Sequence, residues 1–129
     1  MEEEFISYPE AFELKQLGFD KPCLGYYNCE RDFVFVQGKT QYLACEVPAP
    51  TYSQAFRWFR EKYRIFSKIN VDQTMEPKFC YSICRFIEGD QFDWETIVYN
   101  SDLEYTHEKA ELSCLLETIK IVKITQNEV

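Results

Sequence analysis

The sequence is short of the residues from which catalytic and cofactor sites are usually built. It holds one histidine, His107, and four glycines in 129 residues. A nucleophilic triad needs a base beside a Ser, Cys or Thr. His107 falls in the first turn of a predicted helix with no third member in view, so it reads as a solvated helix residue. The glycines stand at turns and element ends, and no glycine-rich phosphate loop is formed. There is no CxxC pair. Cys80 and Cys84 on one strand face would stand about 13 Å apart at ~3.3 Å per residue, too far to share a metal. No apolar run approaches the ~20 residues of a membrane span. The start, Met1-Glu2-Glu3-Glu4, is acidic where an export signal is basic. These absences predict a non-enzymatic chain with no cofactor, no metal and no membrane segment, retained in the cytoplasm.

What the sequence does hold is rings and acid. Aromatics are 17% of residues and hydrophobics 46%, which excludes a disordered chain. The length suits one domain, 1–129. The net charge of −8 disfavours nucleic acid and anionic membrane as partners. Six cysteines, Cys23, Cys29, Cys45, Cys80, Cys84 and Cys114, lie in apolar stretches, and with no export signal they are expected as reduced, mostly buried thiols.

Along the chain, Ser7 reads as a cap and Pro9 as a first-turn residue. Ala11, Leu14 and Leu17 follow at helical spacing, and Gly18 ends the helix. Strands are predicted over 23–28, 33–36 and 40–47, with a hairpin at Gln37-Gly38-Lys39 and both faces of the sheet covered at least near it. Pro48 and Pro50 are expected to stop the ladder. Thr51 then caps a central helix, with Gln54 completing a capping box. Tyr52, Ala55, Phe56, Phe59 and Tyr63 form its core stripe. From Ile65 the period switches to two. Strands follow over 65–71, 78–87 and 92–99, with a hairpin turn at 88–91. Thr106 caps a last helix over 107–124, before a frayed tail at 125–129. The order α-β-β-β-α-β-β-β-α predicts an α+β domain with a mainly antiparallel sheet of about six strands and three helices.

Two features suggest binding. From Arg57 to Lys68, five cations against Glu61 leave a local charge of +4, so the remainder of the chain holds −12. Arg57, Arg60 and Arg64 line up on the helix at i, i+3 and i+7, with Trp58 on the opposite flank. They form a candidate anion site in which Trp58 would stack on a ligand such as a nucleotide. The last helix is apolar on two sides: Leu112, Leu115, Leu116, Ile119 and Val122 form one stripe, and Ala110, Cys114 and Ile121 the other. Such a helix is either sandwiched in its own fold or shared with a protein partner or a second copy.

Ile6-Ser7-Tyr8 with the stretch from Leu14 to Leu24, Ala49-Pro50 with Trp58 to Tyr63, and Thr106 to Lys123 together resemble a family of short uncharacterised proteins. These are carried by phages, prophages and mobile elements of Bacteroidetes. The resemblance spans nearly the whole chain, although Lys109 stands where the family has an acidic residue three after the capping Thr. It implies a phage-related setting in a host cytoplasm, and neither an activity nor catalytic residues.

Overall fold

The computed structural model describes residues 4–35, 41–73, 77–87, 93–99 and 101–127. Its elements run α1 (Tyr8–Gln16), β1 (Gly25–Tyr27), β2 (Phe33–Phe35), β3 (Val47–Ala49), α2 (Tyr52–Tyr63), β4 (Ile65–Gln73), β5 (Pro77–Ile87), β6 (Asp93–Val98) and α3 (His107–Asn127). The expected α+β order holds. The six strands form two three-stranded antiparallel sheets, β2-β1-β3 and β4-β5-β6. The chain divides into two compact units, Met1–Ala55 and Phe56–Val129, with the boundary inside α2.

In the first unit, α1 ends as its sequence predicts. Gly18 takes φ 101°, Gly18 N–H donates to Lys15 O, and Phe19 N–H donates to Leu14 O, which closes a left-handed C-terminal cap. Its start differs from expectation: the Ser7 hydroxyl donates to the Glu10 carboxylate and makes no cap bond to the backbone. β1 is the central strand, with Tyr26 opposite both Val34 of β2 and Pro48 of β3. Pro48 therefore lies inside the ladder instead of ending it, as an edge strand allows. The strand expected over 40–47 is absent from its described part: 41–46 is loop and turn, and pairing begins at Val47. The predicted hairpin at Gln37-Gly38-Lys39 lies outside the described residues. The sheet is not covered on both faces, since Phe35 of β2 is 53% exposed. Gly25 is required by close approach, because a Cβ there would lie 2.4 and 2.6 Å from two atoms of the Phe33 ring.

The first unit is held by point contacts. Phe5 meets Phe33 and Phe35 at ring-centroid distances of 4.9 and 5.7 Å, and the Tyr27 hydroxyl donates to Ile6 O at 2.6 Å. Lys15 Nζ reaches from α1 to Ala44 O (2.5 Å) and Glu46 O (2.8 Å). Cys29 and Cys45 form a disulfide with Cα atoms 5.0 Å apart, which corrects the expectation that all six cysteines are reduced and mostly buried. Cys23, Cys80, Cys84 and Cys114 lie outside any disulfide, and all but the half-buried Cys84 are buried.

The second unit is built on long ladders. β4 pairs with β5 from Ile65↔Arg85 to Gln73↔Pro77. β5 pairs with β6 from Ile87↔Asp93 to Ile83↔Val98, with a register shift at Ile83/Cys84. α3 lies along one face of this sheet: buried Thr118 on α3 approaches Ser67 of β4 at 3.5 Å and donates to Cys114 O at 2.8 Å. Thr106 caps α3 through Lys109 N–H at 3.1 Å. The helix continues to Asn127, so residues 125–127 belong to it and not to a frayed tail. The expected turn at 88–91 lies outside the described residues.

Candidate binding surface

The start of α2 follows from its sequence. Gln54 N–H donates to Thr51 Oγ1 (3.2 Å) and Thr51 N–H donates to Gln54 Oε1 (3.0 Å), the reciprocal bonds of a capping box. Ala55 and Phe59 are fully buried and Phe56 nearly so, while Tyr52 and Tyr63 are half-buried.

The basic ridge does not form as predicted. Arg57 and Arg60 are exposed on the helix, and Arg57 Nε pairs with Glu61 Oε1 at 2.9 Å. Arg64 lies past the helix end at φ 57°, the left-handed conformation, so it does not extend their line. The helix-to-strand corner has no glycine, and Arg64 makes the turn itself. Trp58 is buried to 4% exposure, with Lys62 Nζ 4.9 Å from its ring centroid and Phe59 and Tyr63 against it edge-on. It is a packing residue and offers no open face to a ligand.

The left-handed turn directs Arg64 elsewhere. Phe86 N–H donates to Arg64 O at 3.0 Å, and the guanidinium carbon lies 5.8 Å from the Phe86 ring centroid. Strand alternation puts Phe66, Lys68 and Asn70 of β4 on the face away from α3, with Ser82, Cys84 and Phe86 of β5 and Trp94 and Thr96 of β6. On this face Phe66 and Phe86 each meet Trp94 at 5.0 Å between ring centroids. Trp94 stays 54% exposed, and Lys68, two residues from Phe66 on the same face of β4, is exposed. Asn70 donates to Ser82 Oγ at 3.1 Å in the centre of the face. The result is a three-ring cluster flanked by two cations. The sequence showed each of these residues in its own strand, but bringing them together requires the cross-strand register.

On the opposite face, Arg85 pairs with Glu95 at 2.7 Å and donates to Thr125 of α3 at 3.3 Å. Both apolar stripes of α3 are largely buried: Leu115, Ile119 and Val122 on one side, and Ala110, Cys114 and Ile121 on the other. Leu116 and Ile124 are its exposed large apolar residues. Burial pushes the Cys114 thiol up to about 11 and the Cys23 thiol up to about 12, so both stay protonated at neutral pH. His107 is exposed and pairs with Glu111 at 3.2 Å, as a first-turn helix residue does. Among the described residues no helix is long and apolar enough to cross a membrane. No protein-family model, curated protein or solved structure matches the chain.

Proposed function

We propose that this protein is a non-enzymatic, phage-related accessory factor that acts by binding another protein in a host cytoplasm. The observation that carries the reading is the Phe66–Phe86–Trp94 cluster with Arg64 and Lys68 beside it. Exposed Trp and Arg side chains are the residue types that dominate binding energy at protein interfaces. A sheet face suits a protein, whereas small ligands favour concave pockets. A heterologous partner fits better than a second copy. A second copy offers this face the same Arg64 and Lys68, whereas a partner that carries carboxylates complements them. The partner suited to the face presents carboxylates beside an apolar or aromatic side chain. An anion or nucleotide site on Arg57, Arg60 and Arg64 is the weaker reading, because Trp58 is buried and Arg64 points to Phe86. The cytoplasmic setting rests on the four cysteines outside any disulfide, and the Cys29–Cys45 bridge weighs against it.

Trp94→Ala tests the reading. Its side chain is more than half exposed, so the fold should survive, which circular dichroism checks. A partner recovered by affinity capture and identified should bind the variant at least about tenfold more weakly than the wild type, the scale of an interface hot spot. Equal binding by both proteins would sink the proposal. A homodimer in light scattering that Trp94→Ala dissolves would replace it with self-association.

A further inference from the structure

We infer that Cys29–Cys45 is a thiol–disulfide exchange site that opens in the folded protein, with low-molecular-weight or protein dithiols as its reaction partners. The two half-cystines are the exposed cysteines of the chain. They join the turn between β1 and β2 to the turn before β3, 16 residues apart. Exposed disulfides are the labile ones, because an incoming thiolate reaches the sulfur without unfolding. A bridge of this kind in a reducing cytoplasm senses redox state, whereas in an oxidising compartment it is a lasting staple.

The surroundings keep both turns in place when the bridge opens. Asn28 Oδ1 accepts from Glu30 N–H (3.0 Å) and Asp32 N–H (2.9 Å), which fixes the first turn. Leu43 N–H donates to Glu46 Oε1 (2.8 Å), which fixes the second. Lys15 Nζ holds the carbonyls of Ala44 and Glu46, the residues on either side of Cys45.

The same lysine sets the direction of exchange. Its amine lies at the Cys45 backbone, bonded to the carbonyls before and after that residue, and a cation so placed favours a thiolate. An acid follows each cysteine, Glu30 after Cys29 and Glu46 after Cys45, so the lysine is what separates the two. Cys45 is therefore the better leaving group, and attack falls on Cys29 Sγ. One thiolate of the dithiol bonds to Cys29 Sγ, the S–S bond breaks, and its electron pair leaves on Cys45 Sγ. The second thiolate of the dithiol then attacks its own sulfur in the mixed disulfide and expels Cys29 as thiolate. The dithiol departs as a disulfide. Two electrons have passed to the protein, and the two protons the dithiol released are taken up by the cysteines.

The test treats the native full-length protein with dithiothreitol, without denaturant. Aliquots are acid-quenched, alkylated and mapped by mass spectrometry. Label should enter Cys29 and Cys45 equally and at least about tenfold faster than Cys23 and Cys114, whose buried thiols resist ionisation. Far-UV circular dichroism should stay unchanged. With glutathione alone, the mixed disulfide should form on Cys29, and Lys15→Gln should slow its formation severalfold. Label at Cys29 and Cys45 before any reductant is added would overturn the inference, and so would label that appears only in denaturant. Loss of the dichroism signal on reduction would make the bridge structural, and an adduct on Cys45 would overturn the direction of attack.

Discussion

The units Met1–Ala55 and Phe56–Val129 each hold three strands, but they hold them in different ways. In the first, every strand is three residues long and the sheet depends on fasteners set at points: one lysine amine, one tyrosine hydroxyl and a group of edge-on rings. In the second, β4 and β5 run for 9 and 11 residues and a 21-residue helix covers one face. Continuous ladders spread the load over many equivalent bonds, so no single polar contact decides them. Point fasteners concentrate it, so a single side chain matters more.

The comparison can be broken most sharply in the second unit. Phe59 is fully buried, and Phe59→Ala should cost about 3–5 kcal/mol in denaturant unfolding. A loss below about 1 kcal/mol would remove Phe59 from the core. In the first unit, Lys15→Met should cost about 1–3 kcal/mol, because two carbonyls lose a charged donor. Hydrogen exchange should quicken at 43–49 and stay unchanged in β4 and β5. Equal quickening in both would erase the distinction drawn between the units. The smallest effect belongs to Arg57→Ala. Its pair with Glu61 is solvent-exposed, so unfolding should shift by less than about 0.5 kcal/mol. A larger shift would mean that the helix surface holds more than its core stripe suggests.

The same contrast explains what could be read from the sequence. β4, β5, α2 and α3 were legible because their periodicity runs over several residues and their caps use Thr51 and Thr106 as the local rules require. β3 was not, because a three-residue strand that includes Pro48 carries no alternation, and its partner β1 lies some twenty residues back. The bridge was not, because Cys29 and Cys45 come together only through the fold, and compartment reasoning favoured thiols. In the candidate site, the helical spacing of Arg57 and Arg60 was sound. Arg64 was carried along the same wheel although the period changes at Ile65, which leaves Arg64 as the turn itself. Trp58 was read from a wheel with one buried side, and α2 is buried on two. The Phe66–Phe86–Trp94 cluster needs a register that no single strand contains. β6 makes this plain: the shift at Ile83/Cys84 sets Val98 opposite Ile83, on the α3 side, although simple alternation groups it with Trp94 and Thr96.

That shift also governs which strands a neighbouring molecule can reach. Where β6 leaves β5, the chain at 101–104 takes over: Ser101 N–H donates to Tyr81 O, the Ser101 hydroxyl accepts from Tyr81 N–H, and Glu104 and Phe79 exchange both backbone bonds. With β4 along its other side, β5 has a pairing partner at both edges and cannot template strand addition by another chain. Among the described residues of this sheet, the outer edges of β4 and β6 are the ones left to manage, and β6 carries the exposed acid Glu95. Charge on an edge strand is a common guard against edge-to-edge aggregation.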